Sequence, residues 1–478
     1  MLDDRTRIMT ESISISPLKI ALVTPVADLY NRLWPDIGNS LYALAGHMAR
    51  ALQNQGELIV TCHRPVSTIA QFSTLFQDLA RDELDLVIVA LAPYCPSGVQ
   101  IRALLETPLP LLLWPMQEMF ELRPDQYDNE TIKLNHGVHA VQDLAGVLAR
   151  HEHPFGVIHG HVQQTDFLTA VQAWAQAGHI LRAMQKSRPV QIGGHFEQML
   201  DLQIGDTAFI LDMNLVPILI SLDAFADIIG DIEESAVQEH LTLYGSLFDV
   251  DTGVDTALLA RTARGDIALH RLLEQHRSQT CAVNFLTLCN DARIGDGLHV
   301  AASRLMDAGG GYAGEGDWVT AVLVRAMQQG FGCASFSEMF SVGYADNRIL
   351  LKHWGEGNIC MARTRPRMIR SQFIDKQKAE FAIADFEFAP GPAILVNLSA
   401  SPGGKGHLIS IAGCITNDHL PNVEGPRAVF KPDAADVREL LNHYAYAGGT
   451  HHLALVYERQ PDVLEKLCLL SGWQYTEL

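Results

Sequence analysis

The sequence predicts two α/β domains in succession, followed by a domain of antiparallel β-structure. Three observations carry this expectation. Short apolar runs alternate with segments of helical spacing from residue 19 to about 114, and a similar pattern resumes from about residue 188. After about residue 333 alternating, turn-punctuated segments take over. A length of 478 residues suits about three domains, which we place at 1–187, 188–332 and 333–478.

The elements follow in order. After a polar stretch to about Pro17, residues 19–26 (KIALVTPV) read as a strand. Residues 36–55 read as a helix, with Leu41, Leu44, Met48 and Leu52 on one face. A strand at 58–62, a helix at 68–80, a strand at 84–92, a helix at 98–106 and a strand at 109–114 come next. Strands that are apolar throughout belong to parallel sheets covered on both faces. The second α/β unit opens with a strand at 190–192. It contains a long amphipathic stretch at 219–247 and a buried strand at 281–286 (CAVNFL). In the third region 381–388, 393–398 and 408–412 read as strands, and 402–406 (PGGKG) as the hairpin turn between the last two.

Composition excludes several classes. A formal charge of −20 repels nucleic acid and anionic membrane surfaces. Hydrophobic content of 48% with 19% charged residues excludes disorder as the main state. No apolar run is long enough to span a bilayer, and the mixed-charge start lacks a secretory apolar core, so a cytoplasmic protein is expected. The eight cysteines, Cys62, Cys95, Cys281, Cys289, Cys333, Cys360, Cys414 and Cys468, form no CxxC pair. They are expected to be reduced thiols rather than zinc ligands.

The most conspicuous motif is Gly309-Gly-Gly-Tyr-Ala-Gly-Glu-Gly-Asp-Trp318. Gly309, Gly311 and Gly314 satisfy the dinucleotide fingerprint G-x-G-x-x-G, but that motif needs a preceding strand, and 298–306 has helical spacing. Nucleotide binding is therefore not expected. The loop offers instead Glu315 between two glycines and Asp317 just ahead of a helix opening at Trp318. Capping that helix is the competing role for both carboxylates. Glu338 (in FSEMF), His353 (after ILLK) and the adjacent His451 and His452 (in AGGTHHLA) are further polar residues in apolar surroundings. Singly, each has an ordinary reading as a hydrogen-bonded core group or a solvated carboxylate. Together, two glutamates and two histidines would make an oxygen/nitrogen donor set suited to a divalent ion such as Mn2+. The pairs His151/His153 and His159/His161 are not taken as ligands.

These segments resemble the bacterial L-arabinose isomerases. Residues 305–321 (LMDAGGGYAGEGDWVTA) are similar to the family's glycine-rich segment. The similarity continues in family order through 335–340, 350–353, 391–394 and 447–452, and more weakly through 133–139 (KLNHGVH). The resemblance implies two Rossmann-like α/β domains and a barrel-like β-rich third. It implies a metal-dependent aldose–ketose isomerase of carbohydrate metabolism, acting on a free pentose or hexose through a cis-enediol. Mn2+, or another divalent cation, would be held by Glu315, Glu338, His353 and His452. Glu315 and Glu338 would also be the catalytic proton-transfer pair. A homo-oligomer, hexamer or tetramer, is implied, with a small sugar as the only other partner.

The pocket positions depart from the family. Ala27 stands where a glutamine is expected, His136 replaces a second glutamine while His139 is retained, and His195-Phe196 stands where Asn-Met is expected. His136, His139, His195, Phe196 and His451 are thus the implied sugar contacts. A site that hydrogen-bonds hydroxyls discriminates through such groups, so the altered set argues against L-arabinose itself. A catalytically silent sugar-binding or regulatory protein of the same fold is the competing reading.

Overall fold

Residues 17–54, 57–204, 207–372, 380–458 and 460–478 are described by the computed structural model, and the polar stretch ahead of Pro17 lies outside them. Five runs near the start pair as a parallel sheet: β1 (Leu18–Val23), β2 (Leu58–Cys62), β3 (Leu86–Ala90), β4 (Leu111–Trp114) and β5 (Gly156–Val157), in the order β2-β1-β3-β4-β5. Every residue of β3 is buried, as the unbroken apolar run requires. Ala21, Val23, Val87, Val89, Leu111 and Leu113 pack against helices Ile69–Leu79, Ser97–Glu106 and Gly137–Arg150, while Ile20, Leu22, Ile88 and Leu112 are equally buried. Thr68 starts the first of those helices with a capping box closed by Gln71. These elements, with helix Thr165–Gln185 as far as Arg182, form one compact unit of residues 17–182 and 462–473.

One buried charge in this unit makes a testable demand. Asp85 accepts hydrogen bonds from the Lys19 amide (2.7 Å) and His179 Nδ1 (2.9 Å), and its Oδ1 lies 2.6 Å from the Arg182 guanidinium. Burial alone would raise its pKa, but these donors and positive charges outweigh burial and hold it below its ordinary value. A depressed carboxylate contributes stability above its unfolded pKa, and that contribution is lost as pH falls through the folded one. Asp85→Asn is therefore expected to lower the unfolding free energy at pH 7 by about 2 kcal/mol. Its loss of stability below about pH 4 should be shallower than the wild type's. Urea titrations at pH 3 to 7 measure both, and parallel acid limbs for the two proteins would refute the assignment.

The second compact unit is Ala183–Pro461 with Gln474–Leu478. It begins with a four-stranded parallel sheet, β10-β9-β6-β7, of β6 (Val190–Ile192), β7 (Ile218–Ile220), β9 (Thr280–Val283) and β10 (Gly311–Gly314). Two expectations need correction here. The stretch 219–247 is not one element but the end of β7 followed by helices Leu222–Gly230 and Glu234–Leu247. The strand expected at 281–286 stops at Val283, because the Asn284 side chain accepts a hydrogen bond from the Thr287 amide and starts helix Phe285–Asn290. The glycine motif is preceded by helix His299–Asp307, as its spacing indicates, and Gly311–Gly314 is itself the strand. A Cβ on Gly311 would lie 2.1 Å from the Ala321 carbonyl, so that glycine serves helix–strand packing rather than a phosphate loop.

From residue 334 the strands are mainly antiparallel: β11 (Ala334–Gly343), β12 (Arg348–Lys352), β13 (Arg367–Gln372), β14 (Glu380–Glu387), β15 (Gly391–Ala400), β16 (Gly406–Ile415), β17 (Pro426–Pro432) and β18 (His452–Val456). With β8 (Asp249–Val250) and β19 (Gln474–Glu477) they form a ten-stranded sheet ordered β19-β16-β15-β18-β11-β12-β17-β14-β13-β8. The extra pairing of β16 with β17 closes β16, β15, β18, β11, β12 and β17 into a six-stranded barrel. The glycine-rich turn joins β15 to β16 as expected, with Ser401 N bonded to Lys405 O (2.7 Å). We propose the domain boundary near 333 on the change of sheet type. No helix among the described residues is long and apolar enough to cross a membrane.

Candidate active site

Four sequence-selected side chains converge at one edge of the barrel in the second unit. In the antiparallel register Glu338 of β11 lies directly opposite His452 of β18 and, on its other side, opposite Lys352 of β12. His353 follows Lys352 and so emerges beside Glu338. A register shift between Met339 and Ser341 bends β11 just past the glutamate. Phe336, two residues earlier on the same face, sets its ring 4.5 Å from that of His353 and 4.7 Å from that of His452. The phenyl ring thereby packs against both imidazoles, whose own centroids are 6.1 Å apart.

Glu315 arrives from the parallel sheet, at the C-terminal end of β10. Its φ of 60° is a left-handed conformation that a non-glycine residue holds at a cost of about 1–3 kcal/mol. β6 and the segment after it help to hold it: Phe196 N bonds Glu315 O (2.9 Å), and Gln191 Nε2 bonds Gly316 O (2.7 Å). Gly316 has a φ of 79°, and a Cβ there would lie 2.2 Å from the Gly194 carbonyl. Asp317 caps helix Trp318–Phe331 through the Thr320 amide (3.0 Å), so the capping role is real for Asp317. Its other oxygen, 2.9 Å from His452 Nδ1, orients the imidazole.

With Nδ1 engaged by Asp317, His452 Nε2 faces Glu315 Oε2 at 2.7 Å and Glu338 Oε1 at 3.1 Å. Two carboxylate oxygens against one imidazole nitrogen demand positive charge at that point, from a proton or a metal cation. Among the described residues Glu315, Glu338, His451 and His452 each offer one ligand atom, all within 4.8 Å of one another. That donor set suits a divalent ion bound by oxygen and nitrogen. His353 falls outside this group of four, but its Nε2 is 3.5 Å from Glu338 Oε1. His451, the most exposed of the five, is fixed by Asp201 (2.7 Å to Nδ1) and points Nε2 at Glu315 (3.6 Å) and Glu338 (3.7 Å).

The electrostatics follow from this crowding. Burial would raise the pKa of Glu315, but hydrogen bonds from His451 and His452 and the His353 charge hold it well below the usual carboxylate range. Burial works against the charged form of His353 too, yet the carboxylates of Glu356 and Glu338 push it up to about 9. Neither Glu356 nor the orienting role of Asp317 was anticipated. Fully buried, Glu356 lies 3.2 Å from His353 Nδ1 and accepts hydrogen bonds from His299 Nδ1 (2.8 Å) and the Tyr312 hydroxyl (3.2 Å). A signal was present: Gly355 and Gly357 flank it as Gly314 and Gly316 flank Glu315.

The expected sugar contacts divide between the units. His195 and Phe196 lie beside the cluster. The Asn284 amide group donates to the His195 carbonyl (3.0 Å), Gln191 Nε2 lies 3.2 Å from His195 Nε2, and Phe196 packs near Phe285. Nδ1 of His195 is buried without a hydrogen-bond partner among the described residues. His136 and His139 belong to the first unit. They sit where the strand order reverses between β1 and β3, the position at which open α/β sheets bind ligands. There His136 Nε2 accepts from the Tyr94 amide (3.1 Å) and stacks on Tyr30, His139 stacks on Tyr94, and the Ala27 amide bonds the Tyr94 carbonyl (3.2 Å).

Comparison with known proteins agrees with this layout. Residues 218–330 match the family model for the L-arabinose isomerase central domain, and 333–474 match that for the L-arabinose isomerase C-terminal domain, together more than half of the chain. The L-arabinose isomerase of Herpetosiphon aurantiacus is 24% identical over 398 residues, 80% of this chain and 78% of the relative. That of a Nocardioides species is 25% identical over 476 residues, 95% of this chain and 92% of the relative. An Acidothermus cellulolyticus L-arabinose isomerase is 26% identical over 77% of this chain and 75% of its own length.

Proposed function

The chain belongs to the L-arabinose isomerase family as a divergent member, and from that premise we propose that it interconverts a free aldose and its ketose through a cis-enediol. The single observation that carries the reading is the meeting of Glu315 and Glu338 at the Nε2 atom of His452. Isomerisation moves a proton between C1 and C2 of the sugar, and the C2 proton is only weakly acidic. One glutamate takes the C2 proton and the other handles the hydroxyl proton, the roles exchanging in the reverse direction. Glu315, Glu338, His353 and His452 would hold a divalent cation, Mn2+ in our reading. Such a cation, when bound, supplies polarisation of the sugar carbonyl and its neighbouring hydroxyl. Asp317 fixes the His452 tautomer, Glu356 sets its charge beside His353, and His451, His195 and Phe196 contact the sugar; we propose His136 and His139 as sugar-binding residues of the first unit. The departures at Ala27, His136 and His195-Phe196 favour a pentose or hexose other than L-arabinose.

We further propose a cytoplasmic homo-oligomer, hexamer or tetramer, without nucleic-acid or membrane partners. Leu200, Leu211, Val216 and Leu219 support self-association, because each exposes at least 70% of its surface along one stretch of sequence. Metal-stripped protein incubated with aldopentoses, aldohexoses and deoxyhexoses, with and without Mn2+, tests the activity. Ketose is expected only with metal, from at least one sugar of the panel. Equal turnover without metal would sink the mechanism. Saturable sugar binding with no turnover on any sugar would instead establish the silent sugar-binding reading.

A further inference from the structure

Two of the eight cysteines, without a motif in the sequence, meet in the fold. Cys333 immediately precedes β11, and Cys360 lies in the short helix Ile359–Met361; their Sγ atoms are 3.1 Å apart. Hydrogen bonds on both sides hold this juxtaposition. Asn358, fully buried, donates its amide N–H to Ser335 Oγ (2.9 Å) and its side chain to the Ala334 carbonyl (2.9 Å) and Gln328 (3.2 Å), while the Cys360 amide returns to Asn358 Oδ1 (3.2 Å). The backbone is thus pinned within two residues of each sulfur. Cys360 is exposed and Cys333 half-buried, so a small oxidant can reach the pair.

We propose that Cys333 and Cys360 are a thiol-oxidation site that closes into a reversible intrachain disulfide. With a low-molecular-weight disulfide such as oxidised glutathione, one cysteine loses its proton and its sulfur attacks the oxidant, breaking the S–S bond and releasing one small thiolate. The second cysteine, deprotonated in turn, attacks the protein sulfur of the mixed disulfide and expels the other small thiolate. Two electrons pass from the cysteine pair to the oxidant, and the two protons end on the two released thiols. The new bond ties the base of β11, the strand carrying Glu338, to the segment that runs on from His353 and Glu356. Oxidation therefore stiffens the barrel edge that presents the carboxylate cluster. The hydrogen bond shared with Cys333, with burial added, holds the Cys360 thiol above its ordinary pKa, so closure should speed up from pH 7 to pH 9.

The test uses the full chain treated with oxidised glutathione, then denatured and alkylated. Labelled cysteines are expected to fall by two from the eight of the reduced protein. The intact mass should drop by about 2 Da, with the cross-link mapped by peptide mass spectrometry to Cys333–Cys360. The oxidised protein should melt about 5 °C higher, and dithiothreitol should reverse the shift. Cys333→Ser and Cys360→Ser should each abolish the cross-link. Eight alkylated cysteines after oxidation at pH 8.5, glutathione adducts without the cross-link, or a cross-link elsewhere would each overturn the proposal. None of these readouts depends on sugar turnover.

Discussion

Glu315→Gln is expected to lower kcat for sugar isomerisation by at least about a thousand-fold without unfolding the protein. Glutamine keeps the side-chain volume and leaves the backbone bonds that hold the left-handed φ, Phe196 N to Glu315 O and Gln191 to Gly316 O. It removes the negative charge that faces His452 Nε2 at 2.7 Å and His451 Nε2 at 3.6 Å. Both proposed roles, proton transfer and metal retention, need that charge. Turnover of the best sugar from the panel, with Mn2+ affinity measured by calorimetry, separates them. A variant that still binds metal but does not turn over has lost its proton-transfer group, and one that has lost metal has lost a ligand. Glu338→Gln should show a loss of similar size, because its Oε1 also faces His452 Nε2. Turnover within tenfold of wild type in either variant would remove that glutamate from the mechanism.

The largest expected stability effect lies away from the site. Asp266, fully buried on helix Thr256–Gln275, accepts hydrogen bonds on Oδ2 from His240 Nε2 (2.8 Å), the Tyr244 hydroxyl (2.9 Å) and the Arg304 guanidinium. His240 and Tyr244 come from helix Glu234–Leu247 and Arg304 from helix His299–Asp307, so one carboxylate ties three helices together. Burial opposes its charge, but hydrogen bonds from His240 and His270 and the charge of Arg304 prevail and hold its pKa far below the ordinary value. Asp266→Ala leaves Arg304 without its carboxylate and is expected to cost about 3–5 kcal/mol. Urea midpoints give the number. An apolar double replacement, Asp266→Leu with Arg304→Met, should recover much of the loss, since an ion pair buried this deeply also carries a desolvation cost. A cost below about 1 kcal/mol for Asp266→Ala would show that the network contributes nothing beyond exposed pairs.

Much of the local structure was legible in the chain. The strands at 58–62 and 190–192 span the residues expected of them. The helix opening at Trp318 follows its periodicity and the Asp317 cap. Where reading failed, a short-range signal was ambiguous. Phe285 and Leu286 continue the apolar run of CAVNFL, and only the Asn284 hydrogen bond turns them into a helix. Residues 334–343 carry Ser and Glu among aromatics, and their strand character comes from pairing with β12 and β18 rather than from alternation.

By itself the sequence determined the residue types of the candidate site, the order of the fold's layers, and the family's pattern around Glu315, Glu338, His353 and His452. Each is written in local spacing or in a contiguous motif. Only the tertiary structure decided that Glu338 lies opposite His452, that β16 meets β17 to close the barrel, that Asp317 orients His452 and that Glu356 lies beside His353. Those decisions rest on strand register and ring closure, which couple residues more than a hundred positions apart in the case of Glu338 and His452. A periodicity of two or 3.6 residues carries no information over such distances.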